Sequence, residues 1–203
     1  MREKNRIHIY TPEEITKLLL VAKDPAPTLT ILYFLSTGFR YTEGNFLKEH
    51  PESFDFKNKC IHYISAKNWD REWMYKDRDI YLSTWDVMNI TLFMKTVREL
   101  PQDTQAIFRN MQRWSALAGI ETDGANVHSL RATRFAWLFT AFPEHEKIII
   151  RSLDYKKSKS VNTLALGDEN IDTYKNMHKQ FDTRTVNSIK SLIGDWSGQD
   201  KLL

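Results

Sequence analysis

The chain has 203 residues, of which 41% are hydrophobic and 27% charged, and its formal net charge is +3. This length suffices for one domain with a hydrophobic core, and the mild positive charge is compatible with nucleic-acid binding without requiring it. Cys60 is the one cysteine in the sequence, which excludes an internal disulfide and a metal cluster built from cysteines. No apolar run is long enough to span a bilayer. We expect a cytoplasmic protein without a signal peptide, in which Cys60 is a buried, reduced thiol.

The first elements along the chain are a short strand and a capped helix. Ile7–Tyr10 has the alternating pattern of a strand. Thr11–Glu14 follows as a helix start, in which a threonine caps the helix, a proline occupies its first turn and a glutamate completes a capping box. Pro25 and Pro27 are expected to break the chain after this helix.

A buried helix is predicted next, and an arginine follows its end. Leu29–Leu35 is almost entirely apolar, and Gly38 is the residue type that most often ends a helix. Arg40 would therefore lie just beyond this helix, beside a short helix over Tyr41–Lys48. An arginine after a helix is often only a surface residue, and that interpretation stays open for Arg40.

A β-hairpin is predicted in the middle of the chain. Cys60–Ala66 and Arg78–Leu82 alternate between apolar and polar side chains, and residues 67–77 form a long polar and aromatic loop between them. Ser83 then caps a helix that is expected to run towards Leu100.

The second half of the chain is predicted to be helical. Helices are expected over Thr104–Ala118, Ser129–Phe142 and Glu144–Leu153, and one or two more over Asp168–Ile193. Residues from Gly194 onward are expected to fray. Because no long linker divides the sequence, residues 1–203 are predicted to form a single domain. Its fold class would be α+β, mostly helical with a small antiparallel β-sheet.

Two separate motifs supply residues that suit phosphate chemistry. Thr37–Arg40 ends in one arginine, while His128–Arg131 begins with a histidine and ends in a second arginine. A guanidinium group is permanently charged and can hold two phosphate oxygens at once. A histidine can donate to the phosphate or exchange a proton near neutral pH. This set predicts a site that holds a phosphate and stabilises the charge that develops during its transfer, without a metal.

The order of these motifs resembles the catalytic domain of the tyrosine recombinases, the phage-integrase family, and is most similar to its archaeal members. The resemblance lies within residues 7–153 and is carried, in order, by Thr37–Glu43, a hairpin bearing Lys67, Ile107–Arg109, Ala118–Ile120, His128–Thr133 and the pair Phe142–Pro143. It implies an integrase of a mobile genetic element that breaks and rejoins double-stranded DNA without a cofactor. The reaction would pass through a 3′-phosphotyrosine intermediate, with several protomers assembled on DNA.

The resemblance also implies a role for each site residue. Arg40 and Arg131 would hold the non-bridging phosphate oxygens, and His128 would assist proton transfer or hold the phosphate. Glu43 would support the region around Arg40. His128 has a plain alternative as a helix N-terminal residue with no chemical role.

The nucleophile does not stand where the family places it. The family's third box reads Leu-Gly-His with the tyrosine several residues further on, whereas this chain has Ser152–Tyr155 there and no tyrosine at the expected distance. Three interpretations stay open. Tyr174, which ends a second near-match at Leu166–Tyr174, is the nucleophile; Tyr155 itself attacks; or the protein has lost cleavage and acts as an inactive DNA-binding or regulatory module.

Basic residues predict a surface that faces DNA. The resemblance implies that Lys67, or Lys76 in the same long loop, protonates the leaving 5′ oxygen, and the plain alternative for Lys67 is a solvated turn lysine. Phosphate contacts are expected from six further basic residues, Arg109, Arg113, Arg134, Lys156, Lys157 and Lys159.

The family's N-terminal DNA-clamp domain is expected to be absent, and neither a membrane nor a small-molecule substrate is expected. Besides a recombinase and an inactive DNA-binding module, a third possible function is that of a helical protein–protein interaction module, in which case the motif matches are accidental.

Overall fold

The computed structural model describes residues 7–63, 78–100, 104–121, 125–153 and 181–201. Within these ranges the chain is mostly helical with a small antiparallel sheet, which confirms the predicted α+β fold. The helices are α1 (Pro12–Ala22), α2 (Pro25–Thr37), α3 (Tyr41–Glu49), α4 (Thr84–Thr96), α5 (Thr104–Leu117), α6 (Val127–Ala141), α7 (Glu146–Ser152) and α8 (Thr183–Ile193).

The sheet has three strands, which are β1 (Phe54–Asp55), β2 (Cys60–Tyr63) and β3 (Arg78–Tyr81), in the order β1–β2–β3. β2 and β3 pair antiparallel, with Tyr63 opposite Arg78, and this confirms the predicted hairpin. The loop that joins them lies outside the described residues. The sequence does not predict β1, because two residues are too few to show alternation.

The start of α1 forms as predicted, but the segment before it is not a strand. The Thr11 hydroxyl accepts a hydrogen bond from Glu14 N at 3.1 Å, and the Glu14 carboxylate accepts one from Thr11 N at 2.8 Å. Tyr10 bonds instead to α6: its N–H donates to the Thr133 hydroxyl at 2.9 Å, and its carbonyl accepts from Trp137 Nε1 at 2.9 Å. Side chains of α6 thus satisfy backbone groups that a neighbouring strand would otherwise bond. The strand prediction for residues 7–10 is therefore wrong.

Helix α2 begins at the prolines instead of after them. Pro25 occupies its first turn, where the missing N–H costs no hydrogen bond. The helix ends as predicted at Gly38, which adopts φ +64° and donates its N–H to the Phe34 carbonyl at 2.9 Å. A Cβ at Gly38 would lie 2.7 Å from Leu153 Cδ2. The positive φ therefore favours glycine at this position, and an added Cβ would also displace the buried Leu153 side chain.

Helix α4 starts at the predicted cap, Ser83, and ends earlier than predicted. The backbone leaves the helix at Val97, which adopts φ −92° and ψ 108°, and both Val97 and Leu100 are buried. The Lys48 ammonium donates to the Val97 carbonyl. An extended backbone lets both apolar side chains reach the core, so packing overrides the helical periodicity here.

Helix α6 runs through the centre of the core. Every residue from Ser129 to Thr140 is buried, and the helix packs against α2, α7 and α8 among other elements. Asn126 caps its start by accepting a hydrogen bond from Ser129 N at 3.1 Å. A helix buried on all sides is typical of a central element. Pro143 follows it and begins a short 3₁₀ turn before α7, which confirms the predicted break between these two helices.

The C-terminal segment packs onto the sheet instead of fraying. Trp196 is fully buried, and its Nε1 donates to the Tyr81 carbonyl at 2.7 Å. Ser197 N donates to the Leu82 carbonyl at 3.0 Å, and its hydroxyl donates to the Lys59 carbonyl at 2.7 Å. The prediction of fraying after residue 193 is therefore wrong, because a large aromatic side chain anchors the segment.

Cys60 is buried, as predicted, and burial raises the pKa of its thiol to about 12. The thiol is therefore protonated at neutral pH. In the described ranges, no helix combines the length and the apolar character needed to cross a membrane. The single-domain organisation of residues 1–203 stays a prediction.

Candidate active site

An ionised glutamate near the start of α3 forms the centre of a cluster of arginines. Glu43 is 1% exposed, and its carboxylate lies 2.8 Å from Arg78 Nη2, 3.2 Å from Arg40 Nη1 and 3.7 Å from Arg131 Nη1. Burial alone would raise the pKa of Glu43, but the positive charges of Arg78, Arg131 and Arg40 outweigh it and hold this pKa below its ordinary value. We call these four residues the arginine cluster. It carries more positive than negative charge.

Arg40 is the most exposed arginine of the cluster. It lies at the N-cap of α3, two residues after Gly38, and its backbone N–H donates to the Glu43 carboxylate at 2.8 Å. Its side chain is 31% exposed, compared with 2% for Arg78 and 4% for Arg131. Glu43 thus contacts both the backbone and the guanidinium of Arg40, while about a third of the Arg40 side chain remains exposed to solvent.

Arg131 connects the ends of two helices. It projects from α6, and its Nη1 donates to the Gly38 carbonyl at 2.6 Å, while Nη2 donates to the Leu153 carbonyl. These two residues are the C-caps of α2 and α7. A helix C-terminus carries partial negative charge, which favours a cation at this position. Arg131 therefore holds α2 and α7 around the arginine cluster.

His128 lies three residues before Arg131 in the first turn of α6, and its side chain is exposed to solvent. Partial desolvation, followed by the positive charges of Arg131 and Arg40, lowers the pKa of its imidazole from 6.5. The ring is therefore neutral at pH 7 and can accept a proton or donate a hydrogen bond. The effect of both arginines on this ring means that the fold brings Arg40, His128 and Arg131 into one site.

Arg78 belongs to the cluster, although no sequence motif predicts it there. Its Nη2 donates to Glu43, and its Nε donates to the Ser152 carbonyl at 2.9 Å. Its guanidinium lies 4.7 Å from the centre of the Tyr63 ring, over the ring face. Nη1 is buried without a hydrogen-bond partner among the described residues. The available signal is the alternation of β3, which puts Arg78 on the same face as the buried Ile80.

Arg134 is a structural residue and does not face DNA. It is 1% exposed, and its Nη2 lies 2.6 Å from the carboxylate of Asp86, which is fully buried. Asp86 also accepts hydrogen bonds from the backbone N–H and hydroxyl of Ser83. The pair therefore joins α6 to the start of α4. The prediction that Arg134 contacts DNA is wrong, because its guanidinium is enclosed by the core.

Arg109 and Arg113 are exposed on α5, four residues apart and on one face of the helix. Helix α5 packs against α1 and α6 with its opposite side, where Ile107 and Met111 are buried. Both residues are exposed to solvent, and their contact with DNA stays a prediction.

Several predicted site residues lie outside the described residues, namely Lys67, Lys76, Tyr155, Tyr174, Lys156, Lys157 and Lys159. The segments that contain them nevertheless adjoin the arginine cluster in the chain. Residues 64–77 are bounded by the strand pair Tyr63 and Arg78, and Arg78 is a member of the cluster. Residues 154–180 follow Leu153, whose carbonyl accepts a hydrogen bond from Arg131.

The arginine cluster is better suited to an oxyanion than to a metal ion. The carboxylate of Glu43 already accepts hydrogen bonds from Arg40 and Arg78, so it is a poor metal ligand. The partly exposed guanidinium of Arg40 and the neutral ring of His128 are hydrogen-bond donors for anionic oxygens. The site can therefore hold a phosphate diester and stabilise added negative charge on it.

The chain has the fold of the tyrosine recombinase catalytic domain. It is similar to the crystal structure of XerA recombinase, with a TM-score of 0.59 and 16% sequence identity over 94% of this chain and 65% of that chain. It is also similar to the XerH site-specific recombinase bound to a palindromic difH substrate in a post-cleavage complex. There the TM-score is 0.56 and the identity 19%, over 92% of this chain and 53% of that chain.

The predicted resemblance is thereby confirmed for the fold. The chain spans less than two thirds of the length of these two recombinases. No protein-family model matches the chain, and no curated protein matches its sequence.

Proposed function

We propose that this chain breaks and rejoins double-stranded DNA as a site-specific tyrosine recombinase of the integrase type. The observation that carries the proposal is that Arg40 and Arg131 both pair with the buried Glu43, and that the charges of both arginines reach His128. The excess positive charge of this cluster suits a backbone phosphate whose negative charge increases during transfer. The DNA-bound structure of the similar XerH recombinase supports DNA as the partner.

In the proposed reaction a tyrosine oxygen attacks the phosphorus of a backbone phosphate while its hydroxyl proton passes to the neutral ring of His128. The bond from phosphorus to the 5′ oxygen breaks as the tyrosine–phosphorus bond forms, and the departing 5′ oxygen takes a proton from Lys67. We propose Tyr174 as the nucleophile, with Tyr155 as the alternative. The phosphotyrosine preserves the energy of the broken bond, so a 5′ hydroxyl can reverse the reaction without a cofactor.

The residues of the site would act on the phosphate in different ways. Arg40 would contact a non-bridging oxygen directly, because its side chain is 31% exposed. Arg131 would contribute positive charge from its buried position, and its hydrogen bonds to the Gly38 and Leu153 carbonyls would keep the ends of α2 and α7 in place. His128 would donate to the second oxygen or move a proton. Exchange between two DNA sites would require several protomers, so we propose an oligomer that assembles on DNA in the cytoplasm.

DNA binding without cleavage is a second candidate function, and one observation favours it. Arg131 is 4% exposed and donates to two backbone carbonyls, which leaves fewer of its donors for a phosphate. The departure of Ser152–Tyr155 from the family's third box points the same way. In this function the arginine cluster would stabilise the fold while surface arginines and lysines bind DNA.

The test is relaxation of supercoiled plasmid in EDTA, with covalent protein–DNA adducts followed on a denaturing gel. The proposed enzyme relaxes the plasmid and forms an adduct that Tyr174→Phe abolishes. An adduct that survives this change but disappears in Tyr155→Phe would assign the nucleophile to Tyr155. Salt-sensitive DNA binding without relaxation or adduct would establish the second candidate, and no DNA affinity at low salt would contradict both.

A pair of arginine variants separates the site from general charge. Arg40→Ala should abolish relaxation, whereas Arg184→Ala removes an exposed arginine of α8 and should leave relaxation unchanged. Equal losses in both variants would mean that non-specific charge, and not the arginine cluster, carries the activity.

A further inference from the structure

Three side chains with metal-ligating atoms meet on the outer face of the sheet. Cys60 and His62 are alternate residues of β2, and Asp79 lies opposite His62 on β3. One ligand atom from each residue lies within 4.8 Å of the other two. His62 Nδ1 and Asp79 Oδ1 are 2.8 Å apart. Because side chains alternate along a strand, this face is opposite to the one on which Ile61 and Ile80 enter the core.

A second carboxylate supports this group from the neighbouring strand. Asp55 of β1 lies opposite Cys60, and its Oδ2 is 3.9 Å from His62 Nε2. Asn58 holds this carboxylate, donating its backbone N–H to Oδ1 at 3.0 Å and its side-chain amide to Oδ2 at 2.6 Å. Carboxylates therefore approach the imidazole from both of its nitrogens. Such an acceptor commonly orients a metal-bound histidine through its other ring nitrogen.

We propose that Cys60, His62 and Asp79 bind a divalent transition-metal ion, with zinc as the best-suited ion. A thiolate, an imidazole and a carboxylate are all ligand types that zinc takes in proteins. Around a tetrahedral zinc ion the ligand atoms lie about 3.3 to 3.8 Å apart, so small side-chain movements would close the present group on the ion. A water molecule would complete the coordination.

Proton balance and charge are consistent with this site. On binding, the Cys60 thiol releases its proton to solvent and His62 binds as the neutral ring, while Asp79 and Asp55 bring negative charge to the face. The positive charge of Lys201 would repel the ion. Its Nζ lies 5.7 Å from the centre of the Tyr81 ring, and Tyr81 pairs with Cys60 across the two strands. Lys201 is exposed, so its long side chain can move away from the ion.

The site would stabilise the base of the hairpin. β2 leads into residues 64–77 and β3 leads out of them, so an ion held by His62 and Asp79 would tie these two strands together. Stabilisation follows because the folded chain presents the ligands together and the unfolded chain does not. The proposal is independent of the recombinase function, because it uses the face of the sheet opposite to Arg78.

Titration of the EDTA-treated full chain with Co²⁺ tests the proposal. Since Cys60 is the sole cysteine, a thiolate-to-cobalt charge-transfer band can come only from this residue. We expect that band together with intense visible bands of tetrahedral cobalt, their loss on addition of Zn²⁺, and a higher melting temperature with Zn²⁺. Cys60→Ser should remove the band, and His62→Ala and Asp79→Asn should each weaken binding by at least about tenfold.

A matched control is the exposed pair of His50 and Glu52, whose side chains are 2.9 Å apart without a nearby thiol. His50→Ala should leave the titration unchanged. Absence of the charge-transfer band in excess Co²⁺ would overturn the proposal, as would unchanged affinity in both His62→Ala and Asp79→Asn. These two side chains are exposed, so their variants keep the fold and the test holds even if Cys60→Ser does not fold.

Discussion

Glu43 and Arg78 form a buried ion pair between residues 35 positions apart in the chain. Their side chains are 1% and 2% exposed, and the carboxylate oxygen lies 2.8 Å from Nη2. Glu43 also accepts a hydrogen bond from the backbone of Arg40, while Arg78 is the first residue of β3. The pair therefore connects the most exposed arginine of the cluster to the base of the hairpin that is predicted to carry the general acid.

Removal of the charge of Glu43 should strongly destabilise the fold. Glu43→Gln leaves buried guanidinium groups without their counter-ion, and loss of one partner of a buried pair costs about 3 to 5 kcal/mol. Urea denaturation measures this change in the free energy of unfolding. The control is Glu13→Gln, because Glu13 pairs with Lys17 at 3.1 Å on the surface and should lose no more than about 1 kcal/mol. Equal, small effects would mean that the cluster does not hold the fold.

His128 should make the stability depend on pH. Its folded pKa lies below the unfolded value of 6.5, so the unfolded chain takes up a proton first as the pH falls. The free energy of unfolding should therefore decrease from pH 6.5 down to the folded pKa, with no further loss from this group below it. His128→Gln should remove this part of the decrease when urea midpoints are compared between about pH 7.5 and 5.5. His50→Gln controls for the loss of one imidazole, and an unchanged slope in His128→Gln would contradict the prediction.

A pair of glycine variants separates backbone strain from crowding. Gly38 and Gly119 adopt similar positive φ values, +64° and +68°. An added Cβ at Gly38 would lie 2.7 Å from Leu153 Cδ2, whereas at Gly119 nothing lies within 4 Å. Gly119→Ala should cost about 1 kcal/mol for the left-handed conformation, and Gly38→Ala about 1 to 3 kcal/mol more for the clash. Chemical denaturation measures both, and equal losses would contradict the close packing at Gly38.

Arg134 and Arg113 should affect different properties. Arg134→Ala leaves Asp86 buried and unpaired, so it should lower the free energy of unfolding by about 3 to 5 kcal/mol. Arg113→Ala should leave stability unchanged and, if Arg113 contacts a phosphate, reduce the slope of log affinity against log salt by about 0.9. DNA titrations at several salt concentrations measure this slope. A reduced slope of log affinity against log salt in a folded Arg134→Ala variant would contradict this assignment and mean that Arg134 contacts DNA.

Trp196 should be essential for the packing of the C-terminal segment. The side chain is fully buried, so Trp196→Ala should cost about 3 to 5 kcal/mol. Trp196→Phe keeps most of the apolar volume but loses the hydrogen bond to the Tyr81 carbonyl, and should cost less than the alanine variant. Thermal denaturation compares the two, and a melting temperature unchanged in both variants would mean that the segment does not stabilise the fold.

Features that depend on neighbouring residues could be predicted from the sequence. The capping box of Thr11 and Glu14, the helix end at Gly38 and the paired strands of the hairpin need only local hydrogen bonds, backbone preference and side-chain alternation. The triplet of Arg40, His128 and Arg131 was predictable in a different way. It follows from the ordered motifs that resemble one fold, and that fold brings these residues together.

Only the tertiary structure decided which charged and aromatic residues are inside. Arg134 and Arg113 are both arginines on helices, yet Arg134 meets Asp86 in the core and Arg113 remains on the surface. Arg78 joins the cluster because Glu43, far away in sequence, is buried opposite it. Trp196 is buried in the core and anchors the segment after residue 193, for which local sequence predicts fraying. A buried charge is stable only where partners compensate its lost hydration, and for Arg78 and Arg134 these partners, Glu43 and Asp86, lie far away in the sequence.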